Sequence, residues 1–199
     1  MPVKYRPIFL IIFAFLFGVT LPGSTFGQQT AEEFVNSGKA KTITDHWDEA
    51  ITNYSKAIQL NPKYAPAYIN RGLANNHEGD FDDSISDFTK AIKLKPKDAT
   101  TYYYRGIAKK NKGDLDGAIA DFTKAIKLKP KYADAYYARG IVKGKKQDWD
   151  GAIADNSKAI EINPKYAAAY HNRGDAKKAK GDQAGADADF AEANQLQGR

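Results

Sequence analysis

The sequence of 199 residues predicts an all-α protein, folded as a solenoid of five similar helix–turn–helix units. The first observation is a proline that recurs every 34 residues, at Pro62, Pro96, Pro130 and Pro164. The second is a glycine and an aromatic residue that recur in register with these prolines. The third is that apolar residues within the repeats follow the period of an α-helix. A fixed period of this length is typical of a chain that stacks one structural unit on the next.

Counting each proline as position 32 divides the chain into five repeats: residues 31–64, 65–98, 99–132, 133–166 and 167–199. Position 4 is aromatic and position 8 is glycine in every repeat. The aromatic residues are Phe34, Tyr68, Tyr102, Tyr136 and Tyr170, and the glycines are Gly38, Gly72, Gly106, Gly140 and Gly174. Small residues are expected where two helices approach closely, and rings where a gap has to be filled.

Each element of a repeat follows from local chemistry. In residues 117–129 the apolar side chains recur at helical spacing and trace one face of an α-helix. Before this segment, Gly113 is expected to stop one helix and Asp114 to cap the next, and the same Gly-Asp pair occurs at 79–80 and 181–182. The proline ends the second helix, because the residue before a proline disfavours the α conformation. Each repeat is therefore a helix, a tight turn, a second helix and a short link.

The pattern aromatic-x-x-x-Gly, then Ala-x-x-x-Phe-x-x-Ala, then Pro resembles the tetratricopeptide repeat (TPR) family. The resemblance covers residues 31–199 and implies a right-handed α-solenoid whose concave surface is formed by the first helices, chiefly at positions 2, 5, 6, 9 and 12. The common family pattern has leucine at position 7. Repeats 2–5 have Arg-Gly at positions 7 and 8, so the chain resembles an arginine-glycine variety of the family, and with the leader described below it resembles a bacterial exported type.

The fifth repeat is expected to be a C-terminal cap. Position 21 is isoleucine in repeats 1–4 and Asp187 in repeat 5, while position 28 is isoleucine in repeats 1–4 and Asn194 in repeat 5. A face that meets a following repeat is apolar, and it becomes polar where no repeat follows.

Residues 1–27 are predicted to be a signal peptide. Lys4 and Arg6 precede an uncharged run from Ile8 to Leu21, and small residues follow it. The alternative is an uncleaved N-terminal anchor, in which case the protein would be attached to a membrane. Both readings place the repeats outside the cytoplasm, as a periplasmic or secreted protein. The absence of cysteine fits a protein of the bacterial envelope better than a small secreted eukaryotic one.

Arginine occupies position 7 and aspartate occupies position 23 in repeats 2–5, whereas repeat 1 has Ser37 and Asn53 there. A pair that is present or absent as a unit predicts an ion pair between the two helices of a repeat, rather than a row of anion-binding arginines. The predicted structural pairs are Arg71 with Asp87, Arg105 with Asp121, Arg139 with Asp155, and Arg173 with Asp189.

The positions that the resemblance places on the concave surface carry aromatic and aliphatic side chains flanked by amides. Tyrosines offer a large contact area with a polar tip, and amides can bind a peptide backbone. The predicted partner-binding groove consists of Ile69, Asn70, Leu73, Tyr103, Tyr104, Ile107, Tyr137, Ile141, His171 and Asn172. For Leu73, Ile107 and Ile141 the alternative is that they pack between neighbouring first helices as core.

Two further features leave alternatives open. Asn156 stands at position 24, where the other repeats have a ring, and a buried amide without partners costs free energy. We expect it to be a tolerated defect, and the alternative is that it loosens repeat 4 as a flexible point. Lysines cluster at the ends of the first helices of repeats 3–5, where they complement the helix dipole or attract a polyanion. This lysine edge consists of Lys109, Lys110, Lys112, Lys143, Lys145, Lys146, Lys177, Lys178 and Lys180.

The sequence contains no arrangement typical of an enzyme, a metal site or a cofactor site, because its three histidines fall in different repeats at different positions. A net charge of +6, part of it in the leader, is too modest to predict nucleic-acid binding. We therefore expect a monomeric, non-catalytic scaffold that binds a partner peptide or helix in its concave groove. The alternatives are a structural or assembly component of the cell envelope, and a polyanion or polysaccharide binder that uses the lysine edge.

Overall fold

The computed structural model describes residues 29–198, which form a right-handed α-solenoid of ten helices. The predicted leader, residues 1–27, lies outside the described residues. The helices are α1 (Ala31–Ile43), α2 (Trp47–Leu60), α3 (Ala65–Glu78), α4 (Phe81–Leu94), α5 (Ala99–Lys112), α6 (Leu115–Leu128), α7 (Ala133–Lys145), α8 (Trp149–Ile162), α9 (Ala167–Ala179) and α10 (Gln183–Leu196). The described part of the chain contains no strand.

Consecutive helices pack against one another along the whole array. Each first helix also contacts the first helix of the next repeat, whereas among residues 29–198 no second helix contacts the next second helix. The first helices are therefore closer together, and the array curves toward them. This curvature makes the first helices the inner, concave layer.

The turns between paired helices follow the Gly-Asp chemistry in most repeats. Gly113 ends α5 with φ of 94°, a left-handed conformation that glycine adopts without strain. Asp114 then caps α6, because its carboxylate accepts a hydrogen bond from the backbone of Gly117 at 2.9 Å. A Cβ on Gly117 would lie 2.1 Å from that carboxylate. The cap therefore requires glycine at position 19.

Asp80 stands at the N-cap of α4, as the Gly-Asp pair predicts, but its carboxylate makes no capping hydrogen bond. Position 19 of this repeat is Asp83, and in repeats 3–5 a Cβ at this position would collide with the capping carboxylate. Repeat 2 therefore lacks the side-chain cap and has an additional acidic group in the first turn of α4.

The repeated glycine at position 8 allows the paired helices to approach each other. A Cβ on Gly106 would lie 2.6 Å from the ring of Phe122, which is fully buried at position 24. The same contact joins Gly38 to Tyr54. Burying a ring of this size stabilises the fold by about 1.5–3 kcal/mol. The core of the array is therefore a series of ring-on-glycine contacts.

Asn156 replaces the ring in repeat 4 and is completely buried. The expectation that its amide has no partners is wrong. Its Nδ2 donates to the carbonyl of Ala152 at 2.8 Å, and its Oδ1 accepts from Nδ2 of Asn172 at 3.4 Å. Because the amide bridges α8 and α9, repeat 4 replaces a packing contact by a polar one.

Candidate functional site

The predicted groove residues lie on the concave layer, on α3, α5, α7 and α9. His171 is exposed, and the other nine are half-buried. Each of these nine half-buried residues therefore contributes both to the packing between first helices and to the accessible surface. Ile107, for example, packs against the buried cluster around Phe122 and Val142.

Five tyrosines of this layer lie in two groups of contacting rings, one in repeat 3 and one in repeat 4, and together they are here called the tyrosine cluster. Its members are Tyr103, Tyr104, Tyr132, Tyr137 and Tyr166. The ring centroid of Tyr103 lies 5.6 Å from that of Tyr104 and 5.2 Å from that of Tyr132. The rings of Tyr137 and Tyr166 are 4.9 Å apart. These are tilted contacts at the distances that aromatic pairs favour.

Tyr132 and Tyr166 were missed by the sequence reasoning, which considered only the first helices. Both occupy position 34, the last residue of a repeat, and each packs on the tyrosine at position 5 of its own repeat. Position 34 is also tyrosine in repeat 1, at Tyr64. This recurrence is visible in the sequence and could have identified them.

Burial favours the neutral phenol at four tyrosines of the cluster, because it raises their pKa. It raises the pKa of Tyr132 to about 12, and it raises the pKa of Tyr103 and Tyr137. Burial, together with the hydrogen bond to Asp134, raises the pKa of Tyr166; its hydroxyl donates to Oδ1 of Asp134 at 3.0 Å. The cluster therefore presents ring surfaces and neutral hydroxyl groups to a ligand.

The two amides that flank the cluster are partly committed to internal bonds. Nδ2 of Asn70 donates to the carbonyl of Pro66 at 2.7 Å, and Nδ2 of Asn172 donates to Asn156. At the far end, the ring of His171 packs on Phe190 with centroids 5.1 Å apart. The amides therefore offer fewer donors to a peptide backbone than the sequence suggested.

A cavity of about 330 Å³ lies between repeats 4 and 5, and the groove residues Ile141 and Asn172 are part of its lining. Ile141, Trp149 and Ala176 give it an apolar lining, and Asn172 and Lys145 contribute polar atoms. It lies next to the Asn156–Asn172 bond, at the repeat that lacks a ring at position 24. The cavity has the size of a large side chain and extends the groove toward the C-terminal repeat.

The structure brings together all four predicted Arg–Asp pairs. Nε and one terminal nitrogen of Arg105 donate to the two carboxylate oxygens of Asp121 at 2.8 and 2.7 Å. The other terminal nitrogen donates to Oγ1 of Thr89, in the preceding repeat, at 3.0 Å. Two-point pairs of this geometry are the strongest that arginine makes. Each arginine therefore joins three helices from two repeats.

The hydroxyl partner at position 25 was also missed. The residues at this position are Ser55, Thr89, Thr123 and Ser157 in repeats 1–4, and each accepts a hydrogen bond from the arginine of the next repeat. Repeat 5 has Ala191 there. A hydroxyl that precedes every arginine is the sequence pattern of this contact between repeats.

Most of the lysine edge is paired with acids. Lys109, Lys143 and Lys177 at position 11 lie 2.8–2.9 Å from the aspartate of the Arg–Asp pair. Position 14 forms ion pairs with position 18 of the preceding repeat: Lys112 with Asp82, Lys146 with Asp116, and Lys180 with Asp150. Six of the nine lysines therefore bind within or between repeats.

No helix within residues 29–198 has both the length and the hydropathy needed to cross a membrane.

The sequence matches a known repeat family over most of its length. The TPR repeat pattern matches residues 38–76, 108–147 and 145–181, and the tetratricopeptide repeat pattern matches residues 65–98. No curated protein matches the sequence.

Solved structures with the same fold include those of MamA, YrrB and PilW. The crystal structure of MamA is 30% identical, with a TM-score of 0.76, and the match covers 80% of this chain and 94% of MamA. YrrB, described as a TPR protein with an unusual peptide-binding site, is 20% identical with a TM-score of 0.69, over 84% of this chain and 86% of YrrB. PilW, described as a type IV pilus biogenesis factor, is 19% identical with a TM-score of 0.77, over 87% of this chain and 80% of PilW.

Proposed function

This chain belongs to the tetratricopeptide repeat family, and on that premise we propose that it is a non-catalytic interaction module that holds a segment of a partner protein against the tyrosine cluster. The partner segment is an extended peptide or a helix, and it lies along the first helices. Binding results from shape and from burial of aromatic surface, without covalent chemistry.

The observation that carries this proposal is the tyrosine cluster on the concave layer, in which Tyr132 is buried and the other four rings are half-buried. Large rings with polar tips are enriched among residues that dominate binding energy at interfaces. The rings of Tyr104 and Tyr137 are held by neighbouring aromatic residues, so little side-chain entropy is lost when a partner binds. The adjoining cavity at Trp149 can take one large apolar side chain of the partner.

The polyanion alternative is less favoured because six of the nine lysines of the lysine edge are bound to aspartates. A polyanion would have to compete with these internal pairs. The assembly alternative differs from the leading proposal in needing two partners, one on each face of the array. We further propose that the protein is an exported monomer of the bacterial envelope, on the basis of the predicted signal peptide in residues 1–27.

Site-specific photo-crosslinking tests the groove. A benzophenone amino acid replaces Tyr104 on the concave layer, and in a matched control it replaces Ala120, an exposed residue of α6. We expect a partner band at position 104 that Tyr137→Ala weakens while the helical content stays unchanged. Crosslinks at position 120 that are independent of Tyr137 would contradict the groove, and crosslinks at both positions would favour the assembly alternative.

A further inference from the structure

Position 11 of the first helix carries a lysine in four of the five repeats, and its ammonium group always binds one of two acids on the second helix. In repeat 1, Lys41 lies 2.6 Å from Glu49 at position 19. In repeats 3–5, the lysine lies 2.8–2.9 Å from the aspartate at position 23. The fold therefore has one recurrent place for an ammonium group between the two helices of a repeat.

Repeat 2 has both acids and no lysine. Position 11 is Asn75, while position 19 is Asp83 and position 23 is Asp87. Compared with repeat 3, which has Lys109 and Gly117, this site has one cation fewer and one acid more. The site in repeat 2 is therefore more negative by two units of charge.

The amide of Asn75 replaces the ammonium group only in part. Its Nδ2 lies 3.3 Å from Oδ2 of Asp87, at a distance longer than the lysine contacts in the sister repeats. Asp87 is 4% exposed and keeps its two-point pair with Arg71. Asp83 is exposed and forms no ion pair with any residue in the part of the chain that the structure describes.

A cavity of about 270 Å³ occupies the place that the lysine side chain leaves. Arg71, Asn75, Asp83, Asp87 and the neighbouring Ser86 line it, together with residues of α2. None of its lining residues belongs to the groove or the tyrosine cluster. The cavity is polar, acidic at its mouth and open to solvent.

The pKa values of two position-23 aspartates, Asp87 and Asp189, differ in the direction that a missing cation produces. Burial raises the pKa of Asp87, and the charge of Asp83 adds to this effect against the hydrogen bonds from Arg71. Burial also acts to raise the pKa of Asp189, but hydrogen bonds from Arg173 and Lys177 bring it below its usual value. The negative charge of Asp87 is thus less fully balanced by neighbouring cations than the negative charge of Asp189.

We propose that the cavity between α2, α3 and α4 binds a primary alkylammonium group, which enters beside Asn75 and bonds to Asp83 and Asp87. The group comes from a lysine side chain of a protein partner or from a free aliphatic amine. Four sister repeats supply this group from within the chain, and repeat 2 takes it from outside. The site is separate from the groove, so its occupancy does not depend on the proposed function.

Amide NMR titration of the full chain tests the site. The probes are Nα-acetyl-lysine N-methylamide, cadaverine, and Nα-acetyl-norleucine N-methylamide as an uncharged control. We expect the lysine probe to shift the resonances of Asn75, Asp83 and Ser86, and the norleucine probe to leave them unchanged. Stronger binding by cadaverine would assign the site to free amines, and stronger binding by the lysine probe would assign it to a protein partner.

Two variants and a control make the result decisive. Asn75→Lys supplies the internal ammonium group found in the other repeats and should abolish the titration, while Asp83→Asn should weaken binding at least about tenfold. Asp48→Asn removes an exposed acid of α2 and should leave the affinity unchanged. The absence of shifts with both amines, equal shifts with norleucine, or an unaltered titration in Asn75→Lys would each overturn the proposal.

Discussion

Removing Arg71 should destabilise the array more than removing Arg105, although the two arginines occupy the same position in neighbouring repeats. Each makes a two-point pair with an aspartate whose side chain is 6% exposed. In Arg105→Ala, Asp121 keeps the ammonium of Lys109 at 2.8 Å. In Arg71→Ala, no cation of the described chain remains on the buried carboxylate.

The magnitudes follow from what each variant leaves behind. An uncompensated buried charge costs about 3–5 kcal/mol, and the 26% exposure of the Arg71 side chain places this variant near the lower end. The loss of charged hydrogen bonds with one cation retained costs about 1.5–3 kcal/mol in Arg105→Ala. We therefore expect Arg71→Ala to cost about 1 kcal/mol more than Arg105→Ala.

Urea unfolding followed by circular dichroism measures both values, fitted with nearest-neighbour coupling between repeats. The matched control is Asn75→Lys, which supplies the missing ammonium group. In this background Arg71→Ala should cost no more than Arg105→Ala does in the wild type. Equal costs for the two arginines in the wild type, or no rescue by Asn75→Lys, would refute the assignment of the difference to the position-11 lysine.

Three other changes have expected outcomes. Asn156→Phe restores the ring at position 24 and should raise the free energy of unfolding by about 1 kcal/mol, measured as a higher midpoint in urea. A lower midpoint would mean that the amide bridge contributes more than the ring. Gly106→Ala should destabilise by about 1–3 kcal/mol because its Cβ would meet Phe122 at 2.6 Å, whereas Gly144→Ala, whose nearest contact is 3.8 Å, should stabilise by about 0.5–1 kcal/mol in thermal unfolding. Hydrogen bonds from Arg173 and Lys177 lower the pKa of Asp189 in the folded state, so the contribution of Asp189 to stability is present above about pH 4 and is lost as the pH falls through the folded-state pKa. Asp189→Asn should therefore flatten the acid limb of a plot of unfolding free energy against pH. An unchanged limb would contradict this.

The fold could be predicted from the sequence because the same residue types recur at the same positions in each repeat. The glycine at position 8 and the ring at position 24 are complementary in size, and the structure places them in contact, as in Gly106 and Phe122. The Arg–Asp partners were identifiable because both change together in repeat 1. Complementary residues within one helix pair therefore leave a clear record in the sequence.

The contact of Tyr132 was hard to predict, because this residue lies in the link after the second helix and no helical period assigns it to the concave layer. Contacts between repeats were also hard to predict. Thr89 is a surface hydroxyl by composition alone, and its role depends on how far Arg105 reaches across the repeat boundary. The amide of Asn156 finds partners because Asn172 approaches from the next helix pair. These contacts depend on the stacking geometry, which a single repeat does not specify.

The bond from each arginine to the hydroxyl of the preceding repeat has a consequence for how such an array can change in length. Donor and acceptor always lie at positions 7 and 25, so the joint is the same at every boundary of repeats 1–5. Excising residues 99–132 would bring Thr89 next to Arg139 and re-form the joint without any new mutation. Because every boundary uses the same two positions, whole repeats can be lost or duplicated while the hydrogen bond at the new boundary is retained.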